Sequence, residues 1–168
     1  MRDIDRMANG ARTQGAVAFA PGLALVELGA LALAPDTLVL ALDEIEDPQN
    51  FGAIVRSAVA MGASAVVWPE HHSAPLTAAT FRASAGAVEH ATLCCVPRLP
   101  TALETLKASS VLVLGLDAGA DRDLADHDLA GAVCLVVGAE GKGLRKSVKQ
   151  ACSALAKLPM REIGRAHV

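Results

Sequence analysis

The sequence predicts an α/β domain built on a parallel sheet with helices on both faces. Three observations predict it. From Thr37 onward, short continuous apolar runs of strand length alternate with stretches of helical period, the pattern of repeated strand–helix units. Those runs are rich in Val, Leu and Ala and do not alternate with polar residues, as strands buried on both faces do not. Aromatic residues are nearly absent, with only Phe19, Phe51, Phe81 and Trp68 and no tyrosine, so small aliphatic side chains must form the core.

The elements follow in order. Residues 1–20 carry scattered charge around Gly10 and Gly15 and do not read as the start of a domain. Residues 21–36, rich in Ala, Leu, Gly and Pro and closed by Pro35-Asp36, read as a linker or a short helix. Thr37–Leu42 is the first strand. Asp47 is placed to cap a helix with Pro48 at its first position. Phe51, Ile54, Val55, Ala58 and Val59 then form one helical face. Ala65–Trp68 is a second strand and Leu76–His90 a helix or helix pair, with Ser84-Ala-Gly86 as a point of close approach. Thr92–Val96 is a third strand, Ala102–Ser109 a helix and Val111–Leu116 a fourth strand. Asp117–Gly131 is an acidic loop, Val133–Val137 a fifth strand, Gly143–Cys152 a helix and Ala154–Leu158 a short final strand.

Composition narrows the function classes. At 168 residues and 52% hydrophobic, the chain can bury a core without staples. A net charge of −3 argues against a stand-alone nucleic-acid binder, which usually shows a basic patch and stacking aromatics. Any RNA contact must come from a local patch or another domain. Cys94, Cys95, Cys134 and Cys152 have no metal-ligand or redox spacing and no signal-peptide pattern ahead of them. Reduced thiols and a cytoplasmic location are expected.

Two segments carry candidate chemistry. In Asp47-Pro-Gln-Asn-Phe-Gly-Ala-Ile-Val-Arg56, Gly52 and Arg56 are four apart and share a helix face with Ala53 beside them. Small residues there clear room for a ligand next to the guanidinium, and Asn50 sits in the first turn. A capped helix with a solvated arginine explains the same spacing, and spacing alone favours it. The second segment is Val137-Gly-Ala-Glu140-Gly-Lys-Gly143-Leu-Arg. It is not a P-loop, because Val136 and Gly143 stand where glycine and Ser/Thr are needed. It is not a dinucleotide fingerprint, because Lys146 replaces the third glycine. What remains is a strand end, glycines that allow close backbone approach, and a carboxylate at the rim. Arg145 and Lys146 follow and are placed either to meet RNA phosphate or to form a solvated helix face. His71-His72 and the acidic loop lack ligand spacing and read as solvated loops.

Taken together with Leu158-Pro-Met160, these segments resemble the SpoU family of RNA ribose 2′-O-methyltransferases, of the α/β-knot (SPOUT) superfamily. Arg82-Ala-Ser84-Ala-Gly86 is similar to a further family segment, and the resemblance spans residues 37–161. It looks closest to the branch that methylates a guanosine of large-subunit ribosomal RNA. The resemblance implies a trefoil-knotted parallel sheet, S-adenosyl-L-methionine as methyl donor, RNA as substrate and a homodimer, with no metal and no membrane. It implies catalytic roles for Arg56, Asn50 and Glu140. It implies cofactor contacts at Gly138, Gly141, Leu158, Met160 and the strand end Leu114-Gly115-Leu116, and RNA contacts at Arg56, Arg145 and Lys146. A transfer-RNA methyltransferase or a non-catalytic RNA-binding homologue are the alternatives.

The resemblance breaks after Met160. Residues 1–36 are expected to be a linker and remnant of an N-terminal RNA-binding domain, and 37–161 an incomplete methyltransferase domain that lacks the C-terminal knot helix. Residues 162–168 read like one frame of a sequencing-library adapter and are expected to be non-native. Impaired cofactor binding and activity are expected of such a fragment.

Overall fold

The structure, a computed structural model, describes residues 2–8, 16–17 and 21–159. Met160 and the 162–168 tail lie outside the described residues. So does the knot-helix expectation.

A short helix α1 (Arg2–Met7) precedes the sheet domain. The strands are β1 (Leu38–Asp43), β2 (Ala65–Pro69), β3 (Leu93–Val96), β4 (Leu112–Leu116), β5 (Val133–Gly138) and β6 (Ala154–Ala156). Between them run α2 (Pro48–Ala60), α3 (Ala78–Ala83), α4 (Leu99–Ala108) and α5 (Lys146–Ala151). The six strands form one sheet in the order β3-β2-β1-β5-β4-β6, and every pairing is parallel. The chain leaves β1 toward β2 and β3, crosses to β4, and inserts β5 beside β1. That reversal opens a crevice at the carboxyl ends of β1 and β5, where open parallel sheets bind ligands.

The period of two along each strand sends alternate residues to opposite faces. Val39, Ala41, Val113, Cys134 and Val136 pack under α4 and α5, through Leu99, Leu103, Leu106, Val148 and Ala151. Leu42, Val66, Trp68 and Leu93 pack on the other face under α2, through Phe51, Val55 and Ala58. Phe51 meets Trp68 edge-to-face with ring centroids 5.3 Å apart. On this second face the helices cover β1, β2 and β3. Beside α2, between β1 and β5, lies an open apolar trough of about 440 Å³ lined by Leu38, Leu40, Ile54, Met61 and Leu135. Both faces were expected to be covered; among the described residues this strip is not.

Asp47 caps α2 as its position predicts, accepting from the backbone N–H groups of Gln49 and Asn50. The 76–90 segment divides into α3 and a 3-10 turn at Ala87–Glu89, because Ala85 and Gly86 both take positive φ. Residues 21–36 are more than a linker. Leu25 bridges Leu93, Val26 donates to the Leu93 carbonyl, and a 3-10 turn at Leu28–Ala30 sets Leu28 and Leu31 against the core. This strap covers the free edge of β3, which would otherwise offer unpaired backbone groups. The four thiols are free. Burial pushes Cys94 and Cys152 up to about 11, and raises Cys95 and Cys134 as well, so none is poised as a thiolate at neutral pH.

The helix pair α2–α3 depends on Gly52. A Cβ at that position would sit 2.6 Å from Ala83 Cβ, 2.7 Å from the Thr80 carbonyl oxygen and 2.9 Å from the Ser84 nitrogen. Two of those three atoms belong to backbone and cannot turn aside. Gly52→Ala is therefore expected to lower stability by about 1–3 kcal/mol, despite alanine's helix-propensity advantage of about 1 kcal/mol. Urea denaturation checks it; a variant as stable as the parent would show that the two helices do not meet as described.

Candidate functional site

The site is assembled at the carboxyl ends of β1 and β5. Strand β1 ends at Asp43, which pairs in register with Gly138 at the end of β5. Beyond β1, Glu44 takes φ 57° and the chain turns through Ile45, itself buried, into the Asp47 cap. Beyond β5, residues 138–145 fold back as a tight loop. Ala139 and Gly143 form a one-residue antiparallel bridge, and the Gly143 N–H donates to the Ala139 carbonyl at 2.8 Å. Leu144 then drops into the core.

The loop's own geometry requires its glycines. A Cβ on Gly138 would run into the backbone of Gly143 and Leu144, while Gly141 and Gly143 hold φ of 77° and 66°. All three are demanded by the turn itself, without any ligand. Gly115 is similar: a Cβ there would meet Leu144, Leu155 and Cys152 at 2.8–2.9 Å, so its missing side chain makes room for the core.

The loop carries Glu140 across the crevice to α2. Asn50 donates from Nδ2 to Glu140 Oε2 at 3.4 Å, a long bond between residues ninety positions apart. Glu44, Glu46, Asp47, Asn50, Glu140 and Lys142 line the resulting cleft of about 260 Å³. Four carboxylates against one lysine make it favourable to a cation or a hydroxyl group and unfavourable to phosphate. Among the described residues no group of three or more His, Cys, Asp and Glu is arranged to hold a metal ion. His72 lies beside the cleft with Nδ1 3.5 Å from Glu46 Oε1, both side chains exposed.

Arg56 is placed differently. It lies on α2 six residues beyond Asn50, about 9 Å further along the axis, and does not line the cleft. It is exposed and makes no hydrogen bond or ion pair with another described residue. The room predicted beside it is filled at the level of Gly52 by α3. The structure thus joins Asn50 with Glu140 and sets Arg56 outside, free to meet a bound molecule.

The strongest electrostatic link at the site involves a residue that sequence reading passed over. Asp43 is fully buried, and among the described residues the bonds to its carboxylate come from Arg145. The Arg145 backbone N–H donates to Oδ2 at 2.8 Å, Nε donates to Oδ1 at 2.8 Å, and Nη2 lies 2.6 Å from Oδ1. Glu44 Oε1 sits 3.4 Å from the same Nε. Removing one partner of a buried ion pair costs about 3–5 kcal/mol, because the other charge is stranded. Arg145, expected either to meet RNA phosphate or to lie on a solvated helix face, has its guanidinium engaged by Asp43 while its side chain stays 36% exposed. Lys146, the first residue of α5, is exposed and unpaired among the described residues. A charged residue ending the apolar run Thr37–Leu42 was the signal that marks Asp43.

Along the same edge, the carboxyl ends of β5, β4 and β6 stand side by side. They bring together Gly138, Leu114-Gly115-Leu116 and the segment leaving β6, where Leu158 is 48% exposed. Leu158 leaves an exposed apolar side chain two residues beyond β6.

A scan of family models matches residues 37–165 to the SpoU rRNA Methylase family. The chain belongs to that family. Over 163 residues it is 39% identical to an uncharacterized tRNA/rRNA methyltransferase of Mycolicibacterium smegmatis, an alignment covering 94% of this chain and 52% of that protein. The chain therefore spans about half the length of this curated relative. Its fold matches the SpoU methyltransferase AviRb of Streptomyces viridochromogenes, solved in complex with the cofactor AdoMet, with a TM-score of 0.73 at 25% identity, covering 88% of this chain and 56% of that one. An rRNA methyltransferase of Sinorhizobium meliloti gives a TM-score of 0.75 at 26% identity, covering 82% of this chain and 53% of that one.

Next to the site, Lys149 of α5 pairs with Asp117 at the end of β4, which also accepts the Gly119 N–H at 2.8 Å. The Lys149 hydrogen bond and charge hold the Asp117 carboxyl below its ordinary value of 3.8. A depressed folded-state pKa adds stability above the unfolded pKa, and that stability is lost as pH falls through the folded one. The stability deficit of Lys149→Met is expected to be complete above about pH 4 and to vanish in stronger acid. Denaturation midpoints of both proteins across that range check it; a deficit independent of pH would remove Asp117 as the cause.

Proposed function

We propose that this chain carries the methyl-transfer site of an enzyme that moves a methyl group from S-adenosyl-L-methionine to a ribose 2′-hydroxyl in RNA. A guanosine of large-subunit ribosomal RNA is the narrower target in this reading, with a homodimer as the working form and the cytoplasm as its place. One observation carries it: Asn50 and Glu140 meet in an acid-lined cleft at the sheet's switch point, in a chain of this family.

The chemistry follows from the residues. The donor, when bound, supplies an electrophilic sulfonium methyl. Gly138, Leu116 and Leu158 are the residues placed to hold it along the edge formed by β5, β4 and β6, with Leu158 giving the apolar contact. A ribose hydroxyl is a weak acid, so its proton must leave as the new C–O bond forms. Glu140, an acceptor when ionised, is the cleft carboxylate held by Asn50, and it is suited to take or orient that proton. Arg56 carries a guanidinium, which has donors and no acceptor. It is suited to hold a backbone phosphate and to stabilise the forming alkoxide rather than to act as a base. The split fits the charges: phosphate goes to the free guanidinium outside the cleft, and the hydroxyl goes to the carboxylates within it.

Arg56→Ala is expected to lower the rate of methyl transfer to RNA by about 10²–10³-fold while RNA affinity changes far less. Labelled methyl incorporation into ribosomal and transfer RNA, followed by nucleoside analysis, checks both points. A 2′-O-methylated guanosine in ribosomal RNA supports the narrow target, and the same modification in transfer RNA replaces it. Label on a base, or an Arg56→Ala protein as active as the parent, contradicts the reading. Equal losses of RNA binding and of transfer would make Arg56 an anchor only.

A further inference from the structure

We propose that Asp43, acting through Arg145, is a positioning residue that sets where Glu140 stands in the cleft. This rests on the role given to Glu140 above.

Both ends of the Glu140 loop converge on Asp43. Its backbone lies in register with Gly138, where the loop begins. Its side chain holds the backbone N–H and guanidinium of Arg145, where the loop ends. Between those points the loop is closed on itself by the Ala139–Gly143 bridge and anchored by Leu144 in the core. Among the described residues the side chain of Glu140 has no hydrogen bond or ion pair besides the long bond from Asn50. Its position is therefore inherited from the loop, and the loop's from Asp43. Glu44 adds to the clamp: its positive φ turns the chain so that its own carboxylate reaches Arg145 while it lines the cleft. A well-packed apolar pair often stabilises a protein as well as a buried ion pair does. What an apolar pair cannot do is fix the main-chain N–H and the side chain of one residue to the same two oxygens.

The test uses Asp43→Asn, which removes the buried charge and leaves only the partly exposed guanidinium unpaired, with Arg145→Met as a second variant that instead strands the Asp43 carboxylate and is expected to be the less stable of the two. Amide hydrogen exchange is read first, on the protein alone. The Gly143 and Arg145 amides are expected to exchange at least about tenfold faster while the amides of β1, β4 and β5 keep their protection. Loop amides unchanged, or loop and sheet amides accelerated together, overturn the proposal. Methyl transfer is read second, as a cycle with Glu140→Gln. Asp43→Asn is expected to lower kcat about tenfold with little change in either KM, and to add nothing in the Glu140→Gln background. Multiplicative losses overturn positioning. If Glu140→Gln is itself silent, the reading of the active site fails, whereas the exchange result still decides whether Asp43 holds the loop. Partial recovery by Arg145→Lys relative to Arg145→Met is the further mark of a charge-and-fork contact.

Discussion

A buried carboxylate holds the two halves of the cleft in register. Asp43 ends the central strand β1 with no access to water, and a charge in that position must be paired. Its partner, Arg145, lies 102 residues further along the chain. Because β5 inserts beside β1, that long separation closes into a single contact at the crevice where the sheet's connections reverse. Glu140 and Asn50 meet across this crevice as a consequence. The acidic cleft lies at this crevice with Lys142 among its lining residues, and Arg56 lies outside it on α2.

Much of the fold was legible because local signals and burial agree. The Asp47-Pro48 start of α2 appears where the capping chemistry puts it, and each strand lies within a residue or two of its apolar run. Misses came where the deciding partner is distant in sequence. The strap at 21–36 looks like a linker until Leu25 is seen beside Leu93. Helix α5 was expected from Gly143 and begins at Lys146, because Gly143, Leu144 and Arg145 are used to close the loop and anchor it. The half-open face beside α2 could not be read from strand composition, since Leu38 and Leu135 look as buried as their neighbours.

The site was legible in part, and for different reasons. Asn50 and Glu140 were found through the joint pattern of two segments, each of which alone has a purely structural explanation. Arg56 stands exposed and outside the cleft, a placement that the solvated-arginine reading also expects. Glycine was the less specific signal. Gly52 was read as room for a ligand, and helix packing fills that room; Gly115 and Gly138 were cofactor contacts implied by the resemblance, and core packing and turn geometry require glycine there whether or not a ligand binds. Arg145 shows a different limit: nothing local marks a surface-type residue ahead of a helix as the partner of a carboxylate at the end of a distant strand.

A double-mutant cycle between Asn50 and Glu140, read on the rate of methyl transfer to RNA, tests the central claim most directly. If the two segments form one site, the effects of Asn50→Ala and Glu140→Ala are coupled by about 1 kcal/mol or more, within the range of about 0.5–3 kcal/mol found for residues in one network. Losses that simply add would mean that the two residues act independently, and the single-cleft account would fail.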